Sequence, residues 1–255
     1  MRLATAIPRV APSPSLERRQ QRPLAIATIA LAAALVLFGN AFSAMPVELH
    51  DHPAAVAAKV IVAVVVVAAT VAFARVSLRD AGICRDGCIR GLALGSLLAL
   101  ALAVPIVVYF AFPIGMPGRE IEYGAVSDRS TASFLVWMLV TLPLATALFE
   151  EVAFRGCLQG VAVRAYGTIL GIAIMAMAFT LWHGVINFRT IQSTNAAGGM
   201  ALSSAAYVAS ALGLFVGGVL LGALRQRTGS IAAPFAFHWL IVLAMNTTLF
   251  VLSRT

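Results

Sequence analysis

The chain reads as an all-α, polytopic membrane helix bundle of about seven spans, with six or eight also open. Three observations carry this. The sequence is 61% hydrophobic and 11% charged, with a mean hydropathy of +0.95, whereas an average soluble domain is about 45–50% apolar and about 25% charged. Apolar runs near the ~20 residues needed to cross a bilayer recur along nearly the whole length. The charges collect in short segments between those runs, which is the pattern of membrane topology. A net charge of +8 spread in this way offers no nucleic-acid face; the surroundings it implies are a lipid bilayer. No polar stretch is long enough to fold alone as a second, soluble domain.

Residues 1–23 are polar, with five arginines and four prolines. They read as a flexible, basic cytoplasmic tail near anionic head groups. Residues 24–255 form the single transmembrane domain. The run at 24–45 is long enough to span, which favours a first helix over a cleaved signal peptide. Further runs follow at 54–77, 90–113, 132–153, 168–188, 200–222 and 231–252. Each must be helical, because lipid offers no partner to unpaired backbone groups. With the N-terminus inside, thirteen arginines fall on the cytoplasmic side and four outside, so the positive-inside rule sets that orientation. Lys59 lies near the outer end of the second span, where it can snorkel. The preference for Arg over Lys reads as a GC-rich, bacterial genome, and hence a bacterial plasma membrane.

Cys84 and Cys88 are spaced C-x-x-x-C, but a zinc site needs four ligands and no second pair exists. They read as reduced thiols in a cytoplasmic loop. His50-Asp51-His52 has no third ligand type nearby and reads as a solvated outer loop. The connector at 114–131 reads as a plain link.

Eight of the ten acidic residues lie in the tail or loops. Glu150 and Glu151 instead sit where an apolar run continues past them. His183 and His238 lie inside the fifth and seventh spans. An ionised group at membrane depth costs at least ~2–3 kcal/mol. Three helices thus contribute polar groups that the bundle does not need for insertion, and these four residues form the candidate site. Glu151 and Arg155 are four apart and share a helix face. Glu150 points about 100° away, free to face a cavity. The pattern implies one structural carboxylate, held by Arg155, and one working carboxylate suited to general-base chemistry.

The run Phe149-Glu150-Glu151-Val152-Ala153-Phe154-Arg155-Gly156 resembles the E-E-x-x-x-R signature of the CAAX protease and bacteriocin-processing family (CPBP, or Abi). Phe179-Thr180-Leu181-Trp182-His183 matches its F-x-x-x-H signature. Thr228-Gly229-Ser230-Ile231 precedes His238 as in its third motif. The resemblance covers about residues 130–250. It implies an intramembrane endopeptidase acting on a peptide or membrane-protein substrate near the membrane surface; relatives include the enzymes that trim prenylated CAAX proteins. Carried over by position, Glu150 is the base on a water, helped by His183. His238 helps bind the oxyanion, Glu151 and Arg155 support the site, and Phe179 is a candidate substrate contact. The resemblance leaves two mechanisms open: a metal-free glutamate–histidine pair, or a Zn²⁺ held by Glu150, His183 and His238.

One position departs from the pattern. The third motif usually carries Asn or Asp one turn after the histidine, and here that residue is Val242. Asn246 is about 80° away around the helix; Asn187, four after His183, is the better candidate for the missing amide. The departure keeps a non-catalytic scaffold or immunity-type protein of the same fold as the alternative, with a proton-coupled transporter third. The run boundaries also set a difficulty of depth. Glu150 falls near the inner end of span four and His183 toward the outer half of span five. Their meeting requires span four to continue to about Gly160 and span five to begin later than drawn.

Overall fold

The computed structural model describes residues 14–46, 49–50, 52–83, 85, 87–112, 123–194 and 199–254. The first 13 residues, Asp51, Cys84, and residues 114–122 of the long connector lie outside the described residues. The protein is an all-helical membrane bundle. Its helices are α1 (Pro14–Ala44), α2 (Pro53–Ala72), α3 (Cys88–Ala111), α4 (Thr131–Tyr166), α5 (Thr168–Trp182), α6 (Gly184–Gln192), α7 (Met200–Thr228) and α8 (Ala232–Leu252). Six of them are long and apolar enough to cross a membrane, and α5 with α6, bent by 45°, is long and apolar enough when taken together, as a broken span or a re-entrant pair. α1 begins at Pro14, so residues 14–23 of the expected tail are already helical.

Local sequence sets the helix ends. Pro53 occupies the first turn of α2, where its missing N–H is no loss, and the His52 ring accepts from the Ala54 N–H at 3.2 Å. The valine-rich stretch from Val60 to Val67 would favour a strand in water. In lipid it is helical, because only a helix satisfies its own backbone. Ser130 caps α4 by accepting from the Ser133 N–H at 3.2 Å. Gly167 turns α4 into α5 at φ +80°, a conformation that side chains disfavour.

α4 is not a plain α-helix. Leu142 N–H reaches back to Trp137 C=O, Leu148 to Pro143, and Gln159 to Phe154, each a five-residue step. Pro143 lacks the N–H that would hold Leu139, and widened π-type turns lie on both sides of it. A widened turn exposes backbone carbonyls to neighbouring helices. Met138 C=O accepts from the Trp239 indole on α8 at 3.0 Å.

Small residues let the helices close. Gly91 and Gly95 of α3 lie against the backbone of Ala233 on α8, with the Ala232 methyl beside Gly91. Gly222 of α7 lies against α5 and accepts, through its carbonyl, from buried Gln159 of α4 at 2.9 Å. The loops at each end are tied by guanidinium groups on carbonyls. At the arginine-rich end Arg164 donates to Arg75 C=O at 2.7 Å and Arg225 donates to Asp80 C=O. At the other end Arg189 donates to Met45 C=O at 2.6 Å. On the first of these loops the Ser77 hydroxyl donates to Asp80 at 2.8 Å and holds its carboxyl below the ordinary 3.8.

Candidate active site

The hairpin α4–Gly167–α5 decides the depth of the site. Glu150 lies 17 residues before Gly167 and His183 lies 16 after it. At about 1.5 Å per residue both stand roughly 24 Å from the turn on antiparallel helices. His183 Nε2 is accordingly 3.8 Å from Glu150 Oε2. α4 continues well past Gly160, to Tyr166, while α5 starts at Thr168 and not later. The first half of the sequence-based remedy therefore holds and the second is not needed.

His238 comes from α8. Its Nδ1 is 2.9 Å from Glu151 Oε1, and its Nε2 is 4.0 Å from Glu150 Oε2. Arg155 Nη1 donates to the same Glu151 oxygen at 3.1 Å, across one turn as the spacing predicts. Glu151 and Arg155 are fully buried, and Glu150 is 4% exposed. The two histidine side chains are each 17% exposed, so the cluster opens on the histidine side. Glu151 is thus bonded twice at Oε1, while its Oε2 and the Oε2 of Glu150 are buried without a hydrogen-bond partner among the described residues; of the two, Glu150 Oε2 is the one that faces both histidines through Nε2.

The ring contacts fix the tautomers. A carbonyl only accepts, so His183 Nδ1, 2.9 Å from Phe179 C=O, carries the proton there. Its Nε2 lone pair then faces Glu150. His238 Nδ1 donates to Glu151 in the same way. An imidazole lone pair and a carboxylate oxygen about 4 Å apart are both acceptors, so what lies between them must be a donor or a cation. A water bonded to two such atoms at about 2.8 Å subtends roughly 90°, which suits this spacing. Zinc has the right donor types here, but bonds of 2.0–2.1 Å bring tetrahedral ligands to about 3.4 Å from each other. The separations of 3.8 and 4.0 Å are wider. Among the described residues no three His, Cys, Asp or Glu side chains close to metal-holding distance.

Two sequence-predicted residues sit elsewhere in the arrangement. Phe179 is 4% exposed and forms a wall, with the Arg155 guanidinium 4.0 Å from its ring centre and the His183 ring at 4.4 Å. It has little surface left for a substrate and instead orients the charged groups. Asn187 faces α7: Ser210 donates to its Oδ1 at 2.7 Å, and its amide nitrogen lies 3.5 Å from Tyr207 C=O. Its hydrogen bonds therefore run away from the Glu–His cluster. Asn246 donates to Val242 C=O on its own helix at 3.0 Å. Val242 packs in an apolar cluster with Phe134, Met138 and Leu142. Trp239 is the residue that sequence reasoning missed. Its bond to the widened turn of α4 fixes the rotation of α8 one position from His238. A lone Trp beside a motif histidine was the available signal.

Buried carboxylates, a buried arginine and two inward histidines from three helices thus meet inside a polytopic membrane protein. Residues 132–244 match the family model described as Rce1-like, type II CAAX prenyl endopeptidase Rce1-like. The matched segment is similar to that family; it runs from the start of α4 into α8 and contains every member of the cluster. Neither a curated protein nor a solved structure matches the chain significantly.

Proposed function

We propose that the protein is an intramembrane endopeptidase that hydrolyses a peptide bond near the membrane surface by a glutamate–histidine mechanism. The observation that carries this is the orphaned Oε2 of Glu150, set 3.8 and 4.0 Å from two histidine nitrogens. A water held there donates one hydrogen to Glu150 and the other to His183 Nε2, which leaves an oxygen lone pair for the carbonyl carbon. Glu150 takes the proton as the C–O bond forms. The negative charge passes from the carboxylate to the tetrahedral oxyanion beside His238. When the C–N bond breaks, Glu150 returns the proton to the departing amine. For His238 to donate to the oxyanion through Nε2 while Nδ1 donates to Glu151, both ring nitrogens carry protons. Glu151 is the acceptor at Nδ1, and Arg155 holds Glu151 in place.

The apolar setting of Val242 favours one rival reading, a membrane scaffold that keeps the fold without turnover. The deciding experiment is cleavage of a peptide library and of membrane-protein substrates by purified protein in detergent, beside Glu150→Ala and His183→Ala. Each reaction is run with and without a chelator. Cleavage lost in both variants and indifferent to the chelator is the expected result. Chelator-sensitive cleavage would move the mechanism to a metal, and turnover unchanged in Glu150→Ala would end the reading. We also infer that the arginine-rich end faces the cytoplasm of a bacterial cell. An impermeant thiol reagent applied to intact cells should then label Ser253→Cys and spare Ser77→Cys; the reverse pattern would invert the topology.

A further inference from the structure

The bend between α5 and α6 falls at His183, and its cause lies on α1. In a continuous helix Val185 N–H would bond Leu181 C=O across one turn. Here Asn40 stands in that bond. Its Nδ2 donates to Leu181 C=O at 2.8 Å, and its Oδ1 accepts from Val185 N–H at 2.8 Å. The second Nδ2 hydrogen goes to Val36 C=O at 2.8 Å, so both amide hydrogens are used. A side chain inserted in the backbone ladder is a recognised origin of a sharp bend, and the two spans make 45° at this point. In lipid, the two freed backbone groups would otherwise lack partners.

The neighbouring residues complete the clamp. The Trp182 ring lies directly over Gly39, at a distance that leaves no room for a side chain there. Gly184 is close as well: an added Cβ would stand 3.1 Å from Asn40 Oδ1. The pair Gly39–Asn40 thus grips Trp182 and Gly184, the residues on either side of His183. On the far side a cavity of about 910 Å³ opens between α1, α6 and α7, bordered by Asn40, Gly184, Val185, Phe188 and Tyr207. His183 therefore sits at a bend, beside a void, and its place depends on what holds the bend.

We propose that Asn40 is a positioning residue for His183, supplied by a helix outside the family-matched segment 132–244. Its amide replaces the Leu181–Val185 backbone bond and fixes the imidazole against Glu150. The role in turnover rests on the endopeptidase reading; the effect on the His183 ring does not.

The test is ¹⁵N-histidine NMR of the full chain in detergent, with His183 assigned by a His183→Gln control, run beside the cleavage assay. Asn40→Leu keeps the approximate shape and removes the amide. The expected result is a shift of the His183 ring signals, with those of His50 and His52 unmoved. kcat should fall about 10²-fold, as a 1 Å misplacement produces, with KM little changed. Asn40→Asp keeps an acceptor for Val185 N–H and should fall between wild type and Asn40→Leu in both readouts. Should Asn40→Leu fail to fold, Asn40→Ala removes the amide without adding apolar bulk and is read in the same way. His183 signals that coincide with wild type in a folded Leu or Ala variant overturn the proposal, whatever the activity. Shifted His183 signals in a protein whose cleavage survives Glu150→Ala would uphold the role of Asn40 and sink the endopeptidase mechanism instead.

Discussion

Two helix contacts in this bundle are built in opposite ways. α3 meets α8 through Gly91 and Gly95 on the backbone of Ala233 and the methyl of Ala232, with small residues and no charge at the contact. α4 meets α5 and α8 around Glu150, Glu151, Arg155, His183 and His238, nearly all of it charged or titratable and most of it buried. Both contacts hold helices together in the same membrane. Close backbone approach is therefore enough for packing, and the endopeptidase reading proposed above is what accounts for the buried charge of the second contact.

The sharpest way to test that separation is Glu150→Gln. Removing a positioned general base lowers rates by about 10²–10⁴-fold. Because the carboxylate oxygen has no partner, the melting temperature should equal or exceed that of wild type. Cleavage and thermal unfolding measured on one preparation check both halves, and a fall of many degrees would show Glu150 to be structural. Arg155→Met comes next. It leaves two buried carboxylates without their nearest cation and should cost about 3–5 kcal/mol of stability, because one half of a buried pair is stranded. Adding Glu151→Gln should recover part of that loss in a double-mutant cycle.

Gly95→Val attacks the uncharged contact. Its side chain would meet the Ala233 carbonyl, and the expected cost is about 1–3 kcal/mol. Turnover per folded molecule should stay near wild type, the mirror image of Glu150→Gln; a large fall in kcat with stability intact would erase the distinction. The smallest effect belongs to the loop that underlies neither contact. Asp80 has its pKa lowered chiefly by the Ser77 hydroxyl. The stability this gives is present above the ordinary value of 3.8 and is lost as pH falls through the lower folded value. Ser77→Ala should therefore melt slightly below wild type at neutral pH, and the gap should close in acid. Melting curves from pH 7 to pH 3 read it directly; a gap that widens in acid would reverse the sign.

The site was largely legible because lipid makes polar residues conspicuous. Glu150, Glu151, Arg155, His183 and His238 stand out in apolar runs, and the structure brings all five together. Phe179 was found for the wrong reason: an aromatic one turn from a histidine looks the same whether it lines a pocket or walls in an arginine. Asn187 was misjudged because a four-residue spacing fixes the distance along a helix but not which neighbour the far side faces. Asn40 carried no signal, since an amide in a first span, well over a hundred residues from the motif, looks like any interhelical polar residue.

The sequence alone determined the fold class, the number of spans to within one, and which ionisable residues gather in the buried cluster. All three follow from local quantities: run length, the cost of charge in lipid, and helical periodicity. Only the tertiary structure decided which atoms meet. The Gly167 hairpin set Glu150 and His183 at one depth, α8 gave His238 Nδ1 to Glu151, and α1 placed Asn40 in a gap of α5–α6. Those pairings depend on how helices are turned and staggered against one another, and no window along the chain measures rotation or stagger.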